Sequence, residues 1–421
     1  MEKEVIKRVI AEKQAEIAAI ELIKRPLDLE STANYVFIGL RRAGKTYLMY
    51  QYIHDLIRSG QKSIGDILYI NFEDERIGSI KAEELGLLLD AYKEMFDSKP
   101  LIFLDEIQNI TGWEKFARRL ADSKYRVFVT GSNAKMLSKD IYTTLGARYI
   151  ALEVFPFSFK EYLTYHGVVL EKNWEYTDSR PQVIKLFHNY FYWGGFAESF
   201  TLNDKRNWHN SLYQKILLGD IILRNDIRNE NAIRVLVKKL AESVMQPSSL
   251  SRINNIVNAT GTTISRNTLV EYLQFLTDAY LVFGISNFSD KLSDKETFKK
   301  RYFFDNGLLN NFLFDAETKL LENIVAIDLK KRYGDDLFFY NKNVEVDFFI
   351  PKERRAIQVS YTISDETTRL REIKALVKLS KVYNLDKLEV ITFNEEATLQ
   401  ENGATIQVIP VWKYLLRNLN E

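Results

Sequence analysis

The stretch YVFIGLRRAGKTYLMY, residues 35 to 50, decides the fold. Within it Gly39-Leu40-Arg41-Arg42-Ala43-Gly44-Lys45-Thr46 fits G-x-x-x-x-G-K-[ST], after a β-branched and aromatic run and before a helix-like segment, where a phosphate-binding loop has to sit. A triphosphate needs backbone N–H groups converging at a helix N-terminus, and glycines permit the tight loop that aims them. Lys45 would reach the β- and γ-phosphates, and Thr46 would place its hydroxyl on Mg²⁺. These eight residues, with Tyr47 behind them, are the candidate nucleotide contacts. A chance glycine-rich turn is the plain alternative, and the strand context with all four fixed positions argues against it.

Outward from the loop, short apolar segments alternate with helix-like stretches: YVFIG at 35, ILYINFE at 67, LIFLDE at 101, RVFVTGS at 126 and YIALEVF at 149. Such alternation predicts an α/β fold, a parallel sheet covered by helices on both faces. LIFLDE ends on Asp105 and Glu106, where a strand's C-terminal end would meet a nucleotide. Asp105 can hold Mg²⁺ through its water shell, and Glu106 can polarise the attacking water. The adjacent second acid argues for an ATPase with an extra strand between the P-loop strand and this one, and against a nucleotide kinase. RVFVTGS is the candidate for that strand. Ser132 and Asn133 follow it and could touch the γ-phosphate or the water, although an ordinary turn also uses Gly-Ser-Asn. Arg148 could supply positive charge from its own or a neighbouring subunit, or could be a structural ion pair. Guanine selectivity is unsupported, because NKNV at 341 lacks the acid of N-K-x-D.

Composition sets outer limits. A chain of 421 residues is too long for one ordinary core, so two to four domains are expected. Its 58 basic and 57 acidic side chains give a net charge of +1, so any attraction to nucleic acid must be local. The absence of cysteine removes disulfides, zinc-thiolate sites and thiol catalysis together. The first 25 residues are charged throughout and no later segment has the apolar length of a membrane span, so the expected location is cytoplasmic, without membrane contact.

The expected organisation is an N-terminal helix (1–28), stopped by Pro26, a P-loop core (29–160), an aromatic-rich helical lid or connector (161–230), a winged-helix region (231–305) and a terminal α/β domain (306–421). The winged-helix reading rests on helical patterns at 233–244, 250–259 and 266–276, followed by YLVFGIS and KRYFFD as strands around a charged tip. The third helix could lie in a DNA major groove. Arg266 is its only basic residue and Glu271 would repel phosphate, so readout looks weak. Lys291, Lys295, Lys299, Lys300 and Arg301 gather at the hairpin instead and could touch phosphates; a solvated tip is slightly favoured.

Several stretches together carry a family resemblance: GLRRAGKT, INFED at 70, LDEIQNITGWEKFARRL at 104, VTGSNAKMLS at 129, LGARYIALEVFPFSFKEYL at 145, YWGGFAES at 192, DIILRNDI at 220 and KKRYFFDNGLL at 299. They resemble a large prokaryotic group of AAA-type ATPases that commonly carry a fused C-terminal region of unknown function. Leu40 departs from the proline often found there, without chemical consequence. The resemblance implies ATP binding and slow hydrolysis. The terminal region resembles the restriction-endonuclease-like fold that relatives carry there. Such nucleases need a helix Glu, an Asp on one strand and E-x-K on the next. Glu322 and Asp347 fit the first two positions, but the third reads Gln358-Val359-Ser360, without carboxylate or lysine, and Glu345 could replace only a ligand. Nuclease activity is therefore not expected.

Three functions remain open on the sequence. One is an ATP-hydrolysing switch acting on its C-terminal domains. Another is a nucleic-acid-binding module with ATP as a conformational ligand, and the third an ATP-regulated scaffold for a protein partner. The sequence does not give the oligomeric state.

Overall fold

A computed structural model describes residues 2–132 and 144–417, which fall into two compact units: residues 1–155 with 278–280, and residues 156–277 with 281–421. Among the described residues no helix is long and apolar enough to cross a membrane.

The first unit is a five-stranded parallel sheet: β1 (Asn34–Ile38), β2 (Ile67–Asn71), β3 (Leu101–Asp105), β4 (Val127–Gly131) and β5 (Tyr149–Glu153), in the order β2-β3-β4-β1-β5. The strand RVFVTGS thus separates the P-loop strand from the LIFLDE strand, as expected. Strands covered on both faces need continuous apolar runs, and β3 and β4 are buried at every position. Tyr35, Phe128 and Phe103 stack across β1, β4 and β3, with ring centroids 5.9 and 4.8 Å apart. Helices α1 (Lys3–Ala19), α2 (Lys45–Arg58), α3 (Gly86–Met95) and α4 (Trp113–Asp122) complete the unit. Helix α1 buries Ile6, Val9, Ile10 and Ile17 and ends at Ala19, earlier than the proline suggested. Its one buried polar side chain, Gln14, donates to the Ile67 carbonyl at 2.8 Å. The chain then continues outside helix and strand, bringing Arg25 against the Ala43 carbonyl of the P-loop.

The second unit holds a nine-stranded mixed sheet among the described residues. Its strands are β6 (Ser248–Ser249), β7 (Val282–Asn287), β8 (Phe298–Phe303), β9 (Phe338–Asn341), β10 (Glu345–Ile350), β11 (Arg355–Val359), β12 (Lys387–Thr392), β13 (Ala397–Glu401) and β14 (Ala404–Pro410), ordered β13-β14-β12-β11-β10-β9-β7-β8-β6. Helices Glu230–Glu242, Leu250–Ala259 and Arg266–Asp278 precede the β7–β8 hairpin, close to the expected positions. The hairpin, however, is part of the larger sheet. Ser286 and Asn287 of β7 pair in parallel with Phe338 and Phe339 of β9, and the Asn287 side chain exchanges hydrogen bonds with Asn341. A boundary at residue 305 therefore falls inside one sheet. An open β7 edge would leave its backbone groups unpaired, and β9 satisfies them.

The hairpin also corrects the reading of its basic residues. Strand periodicity puts Lys300 on the opposite face from Lys299 and Arg301, and Lys300 is fully buried. Arg301 is half-buried, donating to the Ser248 carbonyl, and burial lowers its pKa to about 10. These two cations do not belong to a solvated tip.

Candidate functional site: the P-loop and its acids

Gly39 leaves β1 with φ +145°, and a Cβ there would lie 2.2 Å from the Val154 carbonyl oxygen, so no larger residue fits without moving β5. Arg42 and Gly44 also have positive φ, 64° and 94°, which turns the chain sharply into α2. Arg25 fixes this turn from below. Its guanidinium donates to the Ala43 carbonyl and the Phe155 carbonyl, both at 2.9 Å, while Gln51 brackets the Arg25 backbone with two bonds of 2.8 Å. The Lys45 side chain is buried and its ammonium donates to the Gly39 and Leu40 carbonyls at 3.0 and 3.1 Å. Arg41 pairs with Glu73, and Tyr47 faces solvent.

Thr46 donates its hydroxyl proton to Asp105 Oδ2 at 2.8 Å. Asp105 is fully buried at the C-terminal end of β3 and accepts two further hydroxyl protons, from Tyr69 and Thr130. Thr130 does a second job, since its Oγ1 accepts the Glu106 backbone N–H at 2.8 Å. One hydroxyl on β4 thus positions both acids. Glu106 has φ 51°, a left-handed turn, and it accepts a hydrogen bond from the Gln108 amide. Burial pushes the Glu106 carboxyl above the usual range, and Asp105 adds to that rise while Lys45 opposes it. Ser132 is buried beside this group, within 3.4 Å of the Gln108 amide nitrogen.

The sites expected from sequence therefore converge at one sheet end: the loop, Lys45, Thr46, Asp105, Glu106 and Ser132. Asn133 lies outside the described residues. Arg148 does not join them. It precedes β5 at the opposite end of the sheet, roughly 15 Å from the P-loop level at about 3.3 Å per residue. It pairs with Asp122 at 2.6 Å and donates to the Leu145 carbonyl. That reach excludes contact with a nucleotide on its own loop. Sequence reasoning missed Thr130, Tyr69, Gln108 and Arg25. Thr130 could have been found, because it lies one strand over in RVFVTGS, at the level of the acids.

Hard oxygen donors at Thr46 and Asp105, 2.8 Å apart at a helix N-terminus, suit Mg²⁺. A P-loop opening a helix, an interposed strand and paired acids define an AAA-type P-loop domain. Residues 31–163 match the AAA domain family, and residues 184–319 match a domain of unknown function (DUF8612). Over 415 residues the chain is 36% identical to an uncharacterized protein of Methanocaldococcus jannaschii, covering 94% of this chain and 91% of that one. An uncharacterized protein of Haemophilus influenzae is 30% identical over 378 residues, 85% of this chain and 92% of its own. The chain belongs to the family of these two proteins.

Among solved structures, the Aeropyrum pernix ORC1 protein in complex with DNA is similar at 16% identity and a TM-score of 0.29, covering 77% of this chain and 93% of that one. AMPPCP-bound DnaA from Aquifex aeolicus is similar at 15% identity and a TM-score of 0.25, covering 64% and 87%. Likeness at these scores carries nothing about ligands to this chain.

Proposed function

We propose that this chain binds Mg-ATP at the P-loop, hydrolyses it, and couples nucleotide state to its C-terminal part as a conformational switch. The observation that carries the reading is the Thr130 hydroxyl, which holds Asp105 by donating and Glu106 by accepting, beside the Thr46–Asp105 bond. Bound Mg²⁺, held by Thr46 and Asp105, would supply positive charge to the β- and γ-phosphates. Lys45 adds its ammonium to the same charge. Glu106 takes the proton of the attacking water, and Gln108 orients the Glu106 carboxylate. Burial raises the Glu106 pKa, which makes its carboxylate a stronger base than a solvated one.

Replacing Lys45 tests the binding half. Lys45→Ala should abolish ATP binding measured by titration of the purified protein, and unchanged affinity would sink the assignment. Three helices precede the hairpin, which is part of the larger sheet. Burial of Lys300 withdraws one of the five basic contacts considered there and half-burial of Arg301 restricts a second, so DNA binding through the hairpin is not part of this reading.

A further inference from the structure

The P-loop is held at two points by Val154 and Phe155, the residues at which the chain leaves the first unit. Gly39, at the start of the loop, lies so close to Val154 that a Cβ would meet its carbonyl oxygen, and the Val154 N–H donates to the Ile38 carbonyl at 2.7 Å. Ala43, further along the loop, is tied to Phe155 by one side chain. The Arg25 guanidinium donates from Nη1 to the Ala43 carbonyl and from Nη2 to the Phe155 carbonyl, both at 2.9 Å. Arg25 and Phe155 are buried. A guanidinium is planar and its donors are fixed relative to one another, so two carbonyls on one fork cannot move apart without breaking a buried hydrogen bond.

Beyond Pro156 the chain is fixed just as closely, within the second unit. The Phe157 N–H donates to the Gly195 carbonyl at 2.8 Å, and the Phe157 carbonyl accepts the Tyr190 hydroxyl proton at 2.8 Å. Gly195 has no room for a side chain, because a Cβ would come within 2.1 Å of the Phe157 carbonyl oxygen. Its own N–H donates at 2.8 Å to Oδ2 of Asp305, a buried carboxylate just past β8 whose Oδ1 accepts the Gly307 and Leu308 N–H groups. Pro156 therefore stands between two fixed residues. Its ring sets its own φ and restricts Phe155 before it, so the junction has little freedom to absorb a displacement.

We propose that Arg25 is the positioning residue that couples the P-loop to the second unit. A change in the loop on filling with nucleotide shifts Phe155 through the shared guanidinium, and the stiff Phe155-Pro156-Phe157 junction passes that shift to Gly195 and Asp305. Coupling between sites requires an element that both ends bias, and Phe155 is tied to the loop by Arg25 and joined through Pro156 to the fixed Phe157. The proposal rests on the reading that the loop binds ATP, and adds the route by which the bound state is felt. Arg25 acts through backbone carbonyls rather than on the nucleotide.

Hydrogen–deuterium exchange of the full-length protein with and without Mg-ATP tests this, read at peptides covering 39–46 in the loop and 157–195 beyond the junction. In the wild type ATP should slow exchange in both. In Arg25→Met, at ATP concentrations that still protect the loop, the response of 157–195 should be lost. Pro156→Gly leaves Arg25 and the loop untouched, so it should bind ATP as the wild type does and lose the same response. It keeps the proposal falsifiable if Arg25→Met folds poorly. Unprotected loop peptides in the wild type would sink the ATP reading and this proposal with it, whereas a protected loop with no change at 157–195 would sink this proposal alone. A folded Arg25→Met that no ATP concentration protects would show that Arg25 only shapes the loop, which overturns the coupling. A response that survives both substitutions would overturn it too, and would assign the route to another crossing such as the one at residues 278–280.

Discussion

At the residue scale, the acids of the site owe their geometry to a hydroxyl that no motif includes. Thr130→Val removes both the bond to Asp105 and the acceptor for the Glu106 N–H. Hydrolysis should fall about 10- to 100-fold with a smaller change in ATP affinity, as for other residues that hold a ligand in place. A steady-state assay beside a binding titration checks this, and equal losses in both would show that Thr130 serves only to keep the loop folded. The raised pKa of Glu106 gives a pH dependence with a definite sign. A general base must be deprotonated, so turnover should decline on acidification at a pH above the ordinary carboxylate range. A pH–rate profile flat down to that range would contradict it. Asp105 and Glu106 were readable because they are adjacent and end an apolar strand. Arg25, Tyr69 and Thr130 were not, because each reaches the site from another segment and only the folded sheet brings them together.

Elements show the same division between local pattern and long-range packing. The extra strand was legible in RVFVTGS, since an apolar run closed by Gly-Ser is a local signal. Strand β13 was not, since Ala397–Glu401 is a mostly exposed edge with little apolar content. Lys300 was readable in part, because it shares a strand face with Tyr302 two residues on, and that alternation points it inward. Its partners come from the helix Glu317–Tyr333 and from β10, which the strand itself does not announce. Lys300→Met should destabilise the protein by about 3–5 kcal/mol in denaturant melts, because it strands buried carboxylates. A loss below about 1 kcal/mol would mean that those groups simply protonate.

Glu322 adds a pH test at this scale. Burial first, then Asp347, pushes its pKa up to about 7, against opposition from Lys300. The folded state thus favours the protonated acid, and the stability this contributes is present below the ordinary carboxylate pKa and lost as pH rises toward 7. Between about pH 4.5 and pH 7 the wild type should lose stability relative to Glu322→Gln. Parallel stability profiles for the two proteins would refute the shift. At the P-loop, Gly39→Ala should impair folding and nucleotide binding together, because the Cβ meets the Val154 carbonyl at 2.2 Å.

For the whole molecule, the sequence divides where its local patterns change, and the fold divides elsewhere. The hairpin region and the terminal region looked separate because helices change to strands near residue 280 and a new helix begins after 305. Pairing of β7 with β9 joins them in one sheet, and such pairing between distant segments leaves no mark on local periodicity. The P-loop unit, by contrast, was legible in class and in its interposed strand, since both signals are written around one loop. The central claim is that this loop and Glu106 turn over ATP. Purified Glu106→Gln, compared with wild type for ATP affinity and for phosphate release, tests it most directly. Affinity should stay within a few-fold while release falls about 10²- to 10⁴-fold; normal phosphate release by Glu106→Gln would contradict the account.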